Sequence, residues 1–144
     1  MTVFLDSNII LDVLLKNGDF YDESRRVLTV IDTHPEIDLF ISASSVTDIY
    51  YIVHKQIKDS EKVRGYLETL LSIVSIAGID EACVKNALKS SWKDFEDAVQ
   101  YESALQIRAD YFVTRNIKDY EMTFVQVIMP ADFLSVIDSK KKTS

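Results

Sequence analysis

One cysteine, two histidines, two prolines and three glycines are all that the 144 residues contain of these types. With Cys83 alone, no intrachain disulfide can form and a cysteine-based zinc site is excluded. His34 and His54 are isolated from one another, and His54 follows the apolar Val53 in a helical pattern, which suits a structural role. So few glycines and prolines mean short, tight connections, and no Pro/Gly/Ser-rich linker marks a second domain. No glycine-rich loop follows the first apolar run, which argues against a dinucleotide-binding fold. No apolar run approaches the ~20 residues that a membrane-spanning helix needs. Asp6 and Asn8 interrupt the N-terminal apolar stretch too early for a signal peptide. A cytoplasmic protein without a membrane segment is therefore expected.

Positive charge is also short. Sixteen Lys and Arg face 23 Asp and Glu, a net charge of −7. Proteins that hold nucleic acid tightly usually carry net positive charge, because phosphate neutralisation supplies most of that affinity. The balance argues against a non-catalytic DNA-binding module. It argues less against a metal-dependent nuclease, since clustered carboxylates look acidic until a bound cation inverts the local field.

The hydrophobic fraction of 47% and the charged fraction of 27% are those of a globular chain. At this length a domain buries roughly 68–70% of the surface its unfolded chain exposes, so a core needs no staples. One domain over residues 1–137 is expected, followed by a polar, flexible tail over 138–144. Short apolar runs recur at Thr2–Leu5, Leu39–Ile41, Ser75–Ile79, Tyr111–Val113 and Val125–Ile128. Their length and continuous apolar character predict strands buried on both faces. Between them, Val46, Ile49, Tyr50, Val53 and Ile57 recur at helical spacing, as do Val63, Tyr66, Leu67, Leu70, Leu71 and Val74. Lys58-Asp59-Ser60 separates the two helices, with Asp59 or Ser60 as N-cap. Further helices are expected over about 80–90 and 94–108, and a short one from Pro130 through Phe133 and Leu134. Strands alternating with helices predict an α/β fold: a three-layer α/β/α sandwich with a central, mainly parallel sheet.

Such sheets bind ligands at the carboxyl ends of their strands. Asp6 directly follows the first strand, and Asp48 lies in the first turn of the helix after the second, off its apolar stripe. Asp97 opens another helix, and Asn116 and Asp119 follow the strand at Tyr111–Val113. Each has a local alternative. Asp6 could be an N-cap, Ser45/Asp48 and Asp94/Asp97 have capping-box spacing, and Asp119 could be a solvated loop residue. Four strand-to-helix regions delivering polar residues to one edge are harder to explain by capping alone. Clustered carboxylates suit Mg²⁺ or Mn²⁺, which hard oxygen ligands hold.

The segments Phe4-Leu5-Asp6-Ser7-Asn8-Ile9-Ile10-Leu11-Asp12, Asp94-Phe95-Glu96-Asp97-Ala98, Ala109–Tyr120 and Pro130-Ala131-Asp132-Phe133-Leu134 together resemble the PIN-domain ribonucleases, a family that includes the VapC-type toxins. They follow the family's order along nearly the whole chain. The resemblance implies a PIN-like nuclease domain that hydrolyses RNA phosphodiester bonds with Mg²⁺ or Mn²⁺. Asp6, Asp48 and Asp97 would hold the metal, with Asn116 or Asp119 completing an acidic pocket. Of the fourth-corner residues, Asp119 would add charge while Asn116 orients a water or the phosphate. Ser7 takes the place of the small hydroxyl residue that usually follows the first aspartate, which implies a substrate-orienting role. The resemblance also implies a small antitoxin partner and a homodimer. Two departures stand out: Asp48 replaces the usual glutamate, and Asn116 replaces an aspartate common at the fourth position. They leave open a second function, a catalytically weak or inactive PIN-fold module that binds nucleic acid or protein. A phosphatase of the haloacid-dehalogenase type, which also carries an aspartate after its first strand, is disfavoured because Asn8 stands where its second aspartate would be.

Overall fold

β-Branched and aromatic side chains at Thr2–Leu5 form the first strand, β1, at the centre of a five-stranded sheet. The computed structural model describes residues 1–120 and 124–143, with side chains described through Ser139. The remaining strands are β2 (Asp38–Ser42), β3 (Ser75–Ala77), β4 (Tyr111–Val113) and β5 (Gln126–Ile128). They lie in the order β3-β2-β1-β4-β5 and every pairing is parallel. Val3 pairs in register with Leu39 on one side and Tyr111 on the other.

The helices are α1 (Ser7–Leu14), α2 (Tyr21–Leu28), α3 (Ala43–Ile57), α4 (Ser60–Leu71), α5 (Glu81–Lys89), α6 (Phe95–Gln106) and α7 (Pro130–Thr143). Because successive side chains of a strand point to opposite faces, the sheet divides the core in two. Val3, Leu5, Leu39, Ile41, Val113 and Ile128 pack with residues of α1, α2, α3, α4 and α7. Phe4, Phe112 and Val127 face the other way, onto Tyr101 and Ala104 of α6. α5 joins that outer layer through Ala87 against Ala98 and Val99. This is the expected three-layer α/β/α sandwich. None of the described helices is long and apolar enough to cross a membrane.

The boundaries follow local chemistry. Asp59, Asp80 and Asp94 each cap a helix by accepting a backbone N–H three residues on. α3 ends at Lys58, whose φ of 58° is left-handed and whose N–H closes onto His54 O at 2.8 Å. A lysine thus holds the position that glycine usually takes at a helix end.

Two expectations need correction, and one segment carried none. β3 is a short edge strand with Ser75 and Ile76 exposed, so it is not buried on both faces. The segment after α1, for which the sequence patterns gave no expectation, holds α2 and two short 3-10 turns, Gly18–Phe20 and Val30–Asp32. α2 buries only Ser24, Val27 and Leu28, too few apolar residues to reveal a helical face in the sequence. The last helix is not short: its backbone stays helical through most of the tail expected over 138–144. Ser144 and the side chains from Lys140 onward lie outside the described residues.

Candidate active site at the β1–β4 switch point

The chain builds β1, β2 and β3 outward in one direction, then crosses through α5 and α6 to place β4 on the far side of β1. The carboxyl ends of β1 and β4 therefore flank the topological switch point, where open α/β sheets bind ligands. The Asp6 N–H donates to Val113 O at 3.0 Å and ties the two strand ends together.

Asp6 stands at the N-cap position of α1, yet its side chain caps nothing. Its carboxylate turns toward β4 instead, where Oδ2 accepts from Thr114 Oγ1 at 2.8 Å and from Tyr120 OH at 3.0 Å. Asn8 Nδ2 adds a longer contact to the same oxygen at 3.4 Å. Among the described residues, Oδ1 accepts only from Ser7 Oγ, at 3.3 Å. The residue is only 6% exposed, so these donors replace the water it has lost. Capping does not explain Asp6.

Asp97 reaches the same place from α6. Asp94 caps that helix by accepting the Asp97 N–H at 3.0 Å, which sets Asp97 in the first turn. The Asp97 side chain does not return to the cap; its Oδ1 accepts from Tyr120 OH at 3.1 Å. Burial pushes the Asp97 carboxyl up to about 6, helped by the charges of Asp94, Asp6 and Asp119 and opposed by the Tyr120 hydrogen bond. Burial and the same two carboxylates, Asp6 and Asp97, drive the Tyr120 phenol far above its ordinary range. It is a neutral donor, with one proton for two acceptors.

A cavity of about 460 Å³ opens beside this pair, lined by Asp94, Asp97, Asp119 and Tyr120 with Trp92, Lys93 and Lys118. Asp119 is exposed on the 3-10 turn Ile117–Asp119. Asn116 is exposed and precedes that turn without capping it through its side chain. Its backbone N–H donates to Thr114 Oγ1 at 3.1 Å. Ser7 is half-buried against Asp6.

Asp48 goes elsewhere. α3 begins at Ala43 and Ser42 caps it, accepting from Ser44 N at 3.2 Å, so Ser45 and Asp48 form no capping box. Asp48 is half-buried in a neighbouring cavity with Ser44, Phe95 and Glu96. Its charge is the largest cause of the upward displacement of the Glu96 carboxyl, and it is not among the charges acting on Asp97. Asp6, Asp97 and Asp119 are thus associated around Tyr120, with Asp48 beside Glu96.

Thr114 and Tyr120 were not foreseen. Thr114 could have been found by applying the strand-end argument to hydroxyls as well as acids. Next in the chain, Arg115 donates to the fully buried Asp12, with Nε–Oδ2 at 2.7 Å and Nη2–Oδ1 at 3.0 Å. Ser24 and Asn17 donate to the same carboxylate, and the Arg115 guanidinium lies 4.1 Å from the centre of the Phe20 ring. This network fastens α1, α2 and the first 3-10 turn to the loop carrying Thr114 and Asn116.

A sequence profile of the PIN domain matches residues 2–118. The chain belongs to the PIN-domain family. No curated protein matches it by sequence. Among solved structures, the PIN domain here is similar to VapBC2 from Rickettsia felis bound to a promoter DNA fragment, with a TM-score of 0.70 and 20% identity over 90% of this chain and 98% of that one. It is similar also to VapBC-1 from nontypeable Haemophilus influenzae (TM-score 0.68, 19% identity, 91% and 99% covered). A toxin–antitoxin complex from Klebsiella pneumoniae gives 0.65 and 22%, with 89% and 97% covered. At these identities the likeness concerns the fold.

PIN domains are often metal-dependent, and the donor set here can be tested against that chemistry. Among the described residues, no group of three or more His, Cys, Asp or Glu is placed to hold a metal ion. Neither histidine serves the site: His54 stacks on Tyr50, and His34 Nδ1 lies 2.9 Å from Thr33 Oγ1. The site offers only hard oxygen donors, which fit Mg²⁺ or Mn²⁺ and not zinc or copper. Mg²⁺ commonly keeps several waters and is bound through one or two carboxylates plus substrate phosphate. Two carboxylates at one phenol meet that requirement.

Proposed function

We infer that this PIN domain is a Mg²⁺- or Mn²⁺-dependent endoribonuclease. Asp6 and Asp97 would hold the cation directly, and Asp119 directly or through water. The observation that carries the reading is the convergence of Asp6 and Asp97, from distant parts of the chain, on one phenol oxygen at the switch point. A cation there would offset both the burial and the neighbouring charges of Asp94, Asp6 and Asp119 that raise Asp97. When bound, it would supply an activated water and charge neutralisation at the scissile phosphate. Lys93 and Lys118 line the same cavity and would meet phosphate oxygens, contributing position without sequence preference. Ser7 and Asn116 would orient phosphate or water. Asp48 would join as a ligand only if substrate or cation draws it from Glu96.

The similarity to VapBC complexes supports a toxin role, in which a small antitoxin protein covers the site and two copies of the chain pair. A second reading is a catalytically weak or inactive PIN-fold module that binds nucleic acid or protein. The lack of a three-acid cluster among the described residues and the separate placement of Asp48 favour it. The deciding experiment is cleavage of end-labelled RNA by purified protein, with Mn²⁺ and with chelator. Cleavage that needs Mn²⁺ and disappears in Asp97→Asn supports the nuclease. Cleavage surviving both changes refutes this site, and RNA binding without cleavage selects the second reading.

A further inference from the structure

We propose that Tyr120 is a positioning residue of this cation site: its single phenol oxygen sets the spacing of the Asp6 and Asp97 carboxylates and leaves one oxygen of each for the ion. The proposal rests on the metal-site reading above. Its first support is the bridge itself, 3.0 Å from Tyr120 OH to Asp6 Oδ2 and 3.1 Å to Asp97 Oδ1. Among the described residues this hydroxyl is the only group within hydrogen-bonding distance of both carboxylates, which share its one proton. Asp6 comes from the end of β1 and Asp97 from α6, so the bridge joins two layers of the sandwich.

The second support is that packing, rather than the acids, fixes the phenol. Tyr120 is 5% exposed. Its ring lies 4.5 Å from Phe112 and 5.2 Å from Trp92, centre to centre. A ring held on two sides presents its hydroxyl at a set place, and the carboxylates arrange around it. The third support is the division of acceptor oxygens. Asp6 Oδ2 is within reach of Tyr120, Thr114 and Asn8, whereas among the described residues Asp6 Oδ1 has only the long contact to Ser7. Asp97 Oδ1 is likewise taken by Tyr120. The less occupied oxygens, Asp6 Oδ1 and Asp97 Oδ2, are the ones that would bind a dication. Outer-shell partners that orient metal-binding carboxylates typically govern affinity by about 10–100-fold.

The test is calorimetric titration of Mn²⁺ alone into wild type, Tyr120→Phe and Asp6→Asn, with circular dichroism of each metal-free protein. Tyr120→Phe keeps the ring packing and removes only the hydroxyl. Affinity about 10–100-fold below wild type in a Tyr120→Phe protein of native spectrum supports the proposal. Equal or tighter binding overturns it, because the hydroxyl then competes with the ion or is irrelevant to it. If wild type binds no better than Asp6→Asn, the metal-site reading fails and takes this proposal with it. Should Tyr120→Phe not fold, wild type still decides through its Tyr120 hydroxyl proton in nuclear magnetic resonance. That resonance must shift on Mg²⁺ addition, and an unmoved signal at saturating Mg²⁺ overturns the role.

Discussion

Replacing Asp97 by asparagine should stabilise the metal-free protein above pH 6 and remove a pH dependence that wild type carries. The Asp97 carboxyl is displaced from the ordinary 3.8 up to about 6, chiefly by burial and then by Asp94, Asp6 and Asp119. The folded state therefore holds this proton more tightly than the unfolded chain does. Below about pH 4 both states are protonated and the group is neutral in its effect. As pH rises from about 4 through 6, the unfolded chain ionises freely while the fold resists, so stability falls, and it stays lower above that window. Each tenfold difference in proton affinity is worth about 1.36 kcal/mol, which caps the effect at about 3 kcal/mol. Water reaches this half-buried group and screens it, leaving about 1–2 kcal/mol. Asparagine also loses the interaction of a first-turn carboxylate with the helix N-terminus, about 0.3–1 kcal/mol. A net gain of about 1 kcal/mol remains, or about 2–4 °C in Tm for a chain of this size. Thermal unfolding in chelator from pH 4 to 8 reads it directly. Parallel stability–pH curves for wild type and Asp97→Asn would show that neither burial nor the acids around it displace Asp97.

Arg115→Ala should destabilise the fold by about 3 kcal/mol in urea unfolding, the low end of the range for breaking a buried ion pair, because Asp12 keeps its Ser24 and Asn17 bonds. A loss under 1 kcal/mol would mean that the pair does not anchor the loop after β4. Asp48→Asn should bring the Glu96 carboxyl back down toward its ordinary 4.5, since Asp48 is the largest cause of its rise. Carboxyl-carbon magnetic resonance titration measures this, and an unchanged Glu96 would separate the two side chains.

The layered fold was readable because β-branched and aromatic runs of strand length alternate with helical periodicity, whereas the sheet order β3-β2-β1-β4-β5 carries no such signal. Asp6 was readable because the end of a parallel strand delivers its polar residue to one edge of the sheet, whereas Asp97 follows α5 rather than a strand and reaches that edge from the start of α6. Their capping alternatives were not excluded by sequence, because spacing cannot say which way a side chain turns. Asp6 occupies an N-cap position and declines the role. Asp48 shows the limit of the edge argument: α3 starts at Ala43, so Asp48 falls in its second turn rather than the expected first, and its charge acts on Glu96. Tyr120 escaped notice because a tyrosine after Asp119 reads as a core aromatic. Only the packing of its ring against Phe112 and Trp92 turns the hydroxyl toward two carboxylates from other elements.

The most direct test of the central claim is anomalous diffraction from crystals soaked in Mn²⁺. The account predicts a single strong peak at the β1–β4 switch point, at a coordination distance of about 2.1 Å from a carboxylate oxygen of Asp6 and one of Asp97. A peak lodged between Asp48 and Glu96, or none at saturating Mn²⁺, would contradict it.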